Sequence, residues 1–233
     1  TNNPFISLKS KNTTEKNGEI YGFSLVYSGN FSTIVEVDQN DVTRVNMGIN
    51  HFDFNWNLKE NESFQTPEII MVYSSDGING MSQTFHNIFN NNIIRGKYKN
   101  RSRSVLINNW EATYFDFDEE KILSLARKAK ALGVEMFVLD DGWFGTRNDD
   151  FQGLGDWYVN MEKLPNGISG LSKKINDLGM KFGLWFEPEM ANKNSDLYRA
   201  HPDWILSAPG RYDTSSRNQH VLDFSRSEVV DYI

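Results

Sequence analysis

After residue 104 the chain alternates short apolar runs with amphipathic stretches, and this pattern constrains its fold more than any other feature. Val105-Leu106-Ile107 reads as a short strand. Asp118 then stands where a helix N-cap belongs, ahead of Ile122, Leu125, Ala126 and Ala129 at helical spacing. Gly133 closes that helix, since a left-handed residue is needed there, and residues 134–139 form a nearly continuous apolar strand suited to burial on both faces. Leu171, Ile175 and Leu178 mark a second helix, stopped by Gly179, and residues 181–186 a third strand. Residues 195–200 suit a further helix, and Ser225 with Glu228 reads as a capping box for a last one. Three β-α units in a row imply right-handed crossovers and a parallel sheet. The choice is an open doubly wound sheet or a (β/α)8 TIM-type barrel. No G-x-G-x-x-G follows a strand, and Trp110, Asp140-Asp141, Trp185 and Glu187 cluster after the strands, where a barrel keeps its active site. Three strands cannot close a barrel, so the remainder is expected outside these 233 residues, as the Thr1 start and the helical pattern running into Ile233 also suggest.

The first part has a different texture. Residues 19–27, 31–37, 42–49 and 68–73 are strand-like and separated by turn signals, the pattern of an antiparallel β-sandwich. Residues 80–92 suit a helix with Met81, Phe85, Ile88 and Phe89 on one face, and 95–104 reads as a linker. The expected organisation is therefore a β-sandwich portion over 1–103 and the first part of a barrel over 104–233.

Composition narrows the function. A net charge of −7 argues against a nucleic-acid partner held by phosphate contacts. No run of eighteen apolar residues and no N-terminal apolar leader occur, so no membrane span or secretory signal is read. The absence of cysteine excludes disulfides and thiolate chemistry and fits a cytoplasmic protein. Six Trp, nine Tyr and sixteen Phe supply aromatic faces which, beside carboxylates, suit a sugar site, although they also build ordinary cores.

Adjacent Asp140 and Asp141 at a strand end repel each other unless a diol, a cation or a positive side chain relieves them; an arbitrary Asp-Asp pair is more often capping or solvated loop charge, but the strand placement and the flanking Gly142-Trp143 favour a functional reading here. Glu187 and Glu189, flanking Pro188, are either a general acid/base candidate pair or structural rim carboxylates. Trp110 and Trp185 sit at strand ends and suit a pocket, whereas Trp143 and Trp157 suit pocket or core. Arg217 lies in a polar loop. His51, His86, His201 and His220 have no ligand spacing and read as structural; Asp149-Asp150 lack one as well, so no metal site is expected.

At these residues the chain resembles the α-galactosidases of glycoside hydrolase family 36. The matching runs are Leu106-Ile107-Asn108-Asn109-Trp110-Glu111-Ala112-Thr113, Leu139-Asp140-Asp141-Gly142-Trp143-Phe144-Gly145, Gly155-Asp156-Trp157 and Phe182-Gly183-Leu184-Trp185-Phe186-Glu187-Pro188-Glu189-Met190. Gly18-Glu19-Ile20-Tyr21-Gly22-Phe23-Ser24-Leu25 and Ser82-Gln83-Thr84-Phe85-His86 extend the likeness into the first half. The resemblance implies the end of an N-terminal β-supersandwich followed by a (β/α)8 barrel cut before its fourth strand. It also implies a retaining α-galactosidase acting on melibiose, raffinose or stachyose, without metal or organic cofactor, assembled as a homo-oligomer, a tetramer in the family. The family's nucleophile lies in a Lys-x-Asp-type motif after the fourth strand and its acid/base further on; no such motif occurs here, so no catalytic residue is assigned within the chain. Asp140 and Asp141 match the pair that binds hydroxyls around O4 and O6, Trp110 and Trp185 the aromatic walls, and Arg217 a pocket arginine. The alternatives are an α-N-acetylgalactosaminidase or galactosyltransferase on the same scaffold, or a non-catalytic carbohydrate-binding protein.

Overall fold

The computed structural model describes residues 3–52, 54–211 and 215–233. They form two compact units divided between Ser102 and Arg103.

The first unit is antiparallel throughout its sheets. Strand β1 (Phe5–Lys9) pairs with β2 (Ile20–Val26), which pairs with β5 (Glu68–Ser74); β3 (Phe31–Val37) and β4 (Thr43–Ile49) form a hairpin. The Asp38 carboxylate closes that hairpin by accepting the amides of Asn40 and Val42 at 2.8 and 3.1 Å. Helix α1 (Gly77–Ile88) begins three residues earlier than expected and runs into a π-helical turn, Phe89–Ile93. It lays Met81 and Phe85 on β2 and β5, where Ile20 and Val72 complete the buried cluster, with Ile88 and Phe89 packed beside it. Gly22 is what lets the helix approach: a Cβ there would stand 2.6 Å from both Met81 Sδ and Phe85 Cε2. Strand β1 was not expected from the sequence.

In the second unit β6 (Leu106–Asn108) leads through α2 (Trp110–Thr113) and α3 (Glu119–Ala131) to β7 (Met136–Leu139). From β7 the chain passes through α4 (Gly167–Asp177) to β8 (Lys181–Leu184), and the three strands pair in parallel in the order β6-β7-β8. Asp118 caps α3 as expected, its Oδ1 accepting the Lys121 amide at 2.8 Å. Gly133 and Gly179 end α3 and α4 with φ of +87° and +73°. Burial follows the apolar pattern: Ile122, Leu123, Ala126 and Ala129 of α3, Leu171 and Ile175 of α4, and Phe137 and Leu139 of β7 share one core. The Glu119 carboxylate joins the two helices, accepting from Lys174 Nζ and from Asn166 Nδ2. β6 is exposed along its length.

The last segment holds a small antiparallel sheet that the sequence pattern does not show: β9 (Met190–Asn192), then, beyond α5 (Asp196–Ala200), β10 (Ser215–Ser216) and β11 (Gln219–Val221), in the order β10-β11-β9. The expected capping box at Ser225 is not formed. Asp223 Oδ1 captures both the Ser225 amide at 3.0 Å and its hydroxyl at 2.6 Å, so α6 (Ser227–Tyr232) starts one residue later, with Arg226 at its N-cap. Glu228 accepts instead from Arg226 Nε at 2.9 Å.

Candidate functional site at the ends of the parallel strands

The carboxyl ends of β6 and β7 are stitched together by side-chain amides. Asn108 donates to Asp140 Oδ2 at 2.6 Å and accepts from the Trp110 amide at 3.1 Å. Buried Asn109 accepts the Asp140 amide at 2.8 Å and donates to Thr113 Oγ1 at 2.8 Å. The Asn-Asn-Trp run therefore fixes Trp110 and Asp140 to each other across two strands. Trp110, half-buried, lies edge-on to Tyr114 and Phe115.

The two aspartates differ sharply. Asp140 is half-buried, and its Oδ1 accepts the Asp141 amide at 2.8 Å. Asp141 is buried and faces Arg147, whose Nε lies 3.0 and 3.2 Å from the two carboxylate oxygens and whose Nη2 lies 2.9 Å from Oδ2. The repulsion that the sequence poses is thus answered by a positive side chain of the same loop. Gly142 makes the turn possible: its φ is +98°, and a Cβ would meet Phe115 at 3.0 Å. Lys163 ties the loop down, donating to the carbonyls of Phe115, Gly142 and Arg147 at 2.9, 3.0 and 3.4 Å. Burial pushes its ammonium pKa down, against the attraction of Asp141 and Asp116.

Trp185 follows β8, half-buried, with its amide on Leu139 and its carbonyl accepting Trp143 Nε1 at 3.0 Å. It lies parallel to Phe144 at 6.4 Å. Trp143 is core, 2% exposed, and packs with Phe144, Trp157 and Phe186. Glu187 is half-buried and accepts from Gln219 Nε2 at 3.1 Å. Burial pushes its carboxyl pKa up; Arg217 and the Gln219 bond oppose this, while Glu189 and Asp141 add to it. Arg217, exposed and at φ +54°, reaches Asp150 Oδ1 at 3.4 Å. Asp150 also lies 3.7 Å from Arg147 Nη2, so Arg217 is linked to Asp141 through two bridging charges. Trp110, Asp140, Asp141 and Arg217 are thereby joined, directly or through one or two partners, at one end of the parallel sheet, while Trp185 at the same end is held by Leu139, Trp143 and Phe144. Among the described residues no group of three acidic or histidine side chains could hold a metal ion, and no helix is long and apolar enough to cross a membrane.

Two family models cover almost the whole chain: the glycosyl hydrolase family 36 N-terminal domain matches residues 1–59, and the melibiase model matches residues 63–233. The chain belongs to glycosyl hydrolase family 36. Among curated family 36 members, α-galactosidase AgaA of Geobacillus stearothermophilus is 61% identical over 99% of this chain and 32% of its own length. α-Galactosidase Mel36A of Lactobacillus acidophilus is 54% identical over the same shares. The chain thus spans about a third of the length of these relatives. The crystal structure of AgaA superposes with a TM-score of 0.95 at 60% identity, covering 99% of this chain and 32% of that one. The fold is accordingly a family 36 β-sandwich portion followed by the first β-α units of the barrel. Other AgaA structures hold raffinose or stachyose.

Arg147, Asn192 and Lys163 hold this strand-end cluster together, and sequence reasoning passed them over. Arg147 and Lys163 lie in loops with no apolar period to mark them, and a lone basic residue there reads as solvated. For Arg147 a signal existed: two adjacent carboxylates at a buried strand end call for a cation, and Arg147 is the first one downstream.

Proposed function

We propose that this chain is part of a retaining α-galactosidase that hydrolyses terminal α-galactosyl residues from oligosaccharides such as melibiose, raffinose and stachyose. The observation that carries the reading is the 61% identity to α-galactosidase AgaA across 99% of the chain. In this reading the chain supplies sugar-binding groups. Asp140 and Asp141 accept from galactose hydroxyls around O4 and O6, Trp110 and Trp185 wall the ring, and Arg217 contributes a positive hydroxyl partner. A carboxylate that accepts from axial O4 distinguishes galactose from glucose, because the epimer leaves a buried acceptor unpaired. The attacking and protonating carboxylates, roughly 5–5.5 Å apart in a retaining enzyme, belong to sequence other than these 233 residues, which contain no Lys-x-Asp. The family resemblance supports a homotetramer that works without metal or organic cofactor, and the cysteine-free composition supports a cytoplasmic location.

The test is kinetics of Asp140→Ala and Asp141→Ala in the full-length protein on aryl α-galactoside, α-glucoside and α-N-acetylgalactosaminide, with and without azide. Each variant should lose galactoside turnover and galactose-over-glucose preference, with no rescue by azide. Formation of a β-galactosyl azide would make the mutated aspartate the nucleophile and overturn the assignment. Preference for the N-acetylgalactosaminide, or transfer to sugar acceptors in place of hydrolysis, would replace the activity while keeping the pocket.

A further inference from the structure

Arg147 has no exposed surface, and every one of its three nitrogens is engaged. Nε and Nη2 fork onto Asp141, while Nη1 donates to Gln152 O at 3.1 Å and to Asn192 Oδ1 at 2.9 Å. The guanidinium carbon stands 5.5 Å from the centre of the Phe115 ring, and that ring lies edge-on to Trp110 at 5.0 Å. Asn192, equally buried in β9, receives the Leu154 amide at 2.9 Å on the same Oδ1 and donates through Nδ2 to Asn218 O at 2.8 Å and Asp150 O at 3.3 Å. Asn218 follows Arg217, and both hold positive φ, +60° and +54°, which ordinary residues adopt at a cost. One buried cation is therefore in contact with Asp141, one residue removed from the Arg217–Asn218 turn, and against the ring that supports Trp110.

We propose that Arg147 and Asn192 are positioning residues of the sugar site: Arg147 orients the Asp141 carboxylate, and Asn192 relays that anchor to the turn that presents Arg217. The proposal rests on the reading that this end of the sheet binds a galactosyl unit. Asp141 is 3% exposed, and a charge held out of water without a partner is costly, so the arginine is what keeps the carboxylate in place. The arginine donates once to Oδ1 and twice to Oδ2, and so leaves Oδ1 able to accept from a sugar hydroxyl. Arginine suits the task where lysine does not, since an ammonium supplies the charge without the planar fork and without a second arm for Asn192.

The experiment compares wild type, Arg147→Lys, Asn192→Ser and the double variant in the full-length protein, with Arg127→Ala on exposed α3 as a surface control. The readouts are galactose affinity by calorimetry, kcat and KM on an aryl α-galactoside, and the thermal melt. Arg147→Lys should melt cooperatively, weaken galactose binding at least tenfold and raise KM more than it lowers kcat. Asn192→Ser should weaken galactose binding several-fold, and the double variant should do little worse than Arg147→Lys alone. A folded Arg147→Lys that binds galactose within twofold of wild type overturns the proposal; if that variant does not fold, an unchanged affinity in Asn192→Ser overturns it. A wild-type protein that binds no galactose refutes the underlying reading, and the proposal with it, an outcome distinguishable because it appears before any substitution is made.

Discussion

The two units of the chain solve the burial problem in different ways. In the first, four side chains, Ile20, Val72, Met81 and Phe85, make the buried cluster under α1, and its buried polar side chains are Thr13 and Ser74. The opposite face of its sheet keeps Tyr21, Ile69, Met71 and Tyr73 substantially exposed. In the second, fourteen buried side chains share one cluster, and alongside them lie Asp141, Arg147, Asp156, Asn192 and Gln219. A buried polar group costs stability unless its partners are supplied, so a region that buries many of them is under two demands, packing and exact pairing. The second unit meets the pairing demand with bonds that also fix the candidate site. Asp156 illustrates this: its two oxygens accept the amides of Asp196 and Leu197 at 3.0 and 2.9 Å, tying the loop after β7 to α5, while burial pushes its pKa up against those bonds.

The contrast predicts unequal mutational sensitivity. Phe137→Ala, at a fully buried position of β7, should cost about 3–5 kcal/mol, whereas Val35→Ala, 45% exposed in β3, should stay within about 0.5 kcal/mol. Equal losses in equilibrium denaturation would erase the distinction. Arg147→Met should also cost about 3–5 kcal/mol, because it strands the buried Asp141 charge. Adding Asp141→Leu should recover part of that loss; a double variant as unstable as the single would mean that packing, not the unpaired charge, is responsible.

Gly142→Ala should cost about 1–3 kcal/mol, from its positive φ and the Phe115 contact, and a melt unchanged from wild type would show that the loop can relax. At the helix starts, Asp118→Ala and Ser195→Ala should each cost about 1 kcal/mol, since their side chains accept from Lys121 and Tyr198 amides. Ser225→Ala should cost less than either, because its hydroxyl serves Asp223 and no helix amide; a loss as large as that at Asp118 would restore the capping box.

The smallest effect concerns pH. Burial raises the folded-state pKa of Glu187, so its contribution to stability is present below the ordinary glutamate range and is lost as pH rises through the raised value. Wild type should therefore lose stability relative to Glu187→Gln across that window. A parallel pair of stability–pH curves would count against a desolvated carboxylate.

Much of this molecule was determined by sequence alone, and the reason is local. Apolar periodicity placed α3, β7, α4 and β8, because burying one face is a property that each segment carries in its own residue order. Asp118, Gly133 and Gly179 marked helix ends through bonds and φ angles confined to a few neighbours. The Asn-Asn-Trp and Asp-Asp-Gly-Trp runs at strand ends marked residues that the fold then ties to one another. Three short strands, β9 to β11, escaped that reading, since two or three residues carry no period and the pairing of β9 with β11 joins segments far apart in the chain. The capping box failed for a related reason: Ser225 had a competing acceptor in Asp223, and only the assembled turn decided between them. The unlike states of Asp140 and Asp141 were likewise settled by tertiary structure. The sequence presents two identical neighbouring carboxylates, but folding brings Asn108 to one and a fully buried arginine to the other. A charge's partner is chosen by where the chain returns, and residue order does not record that distance.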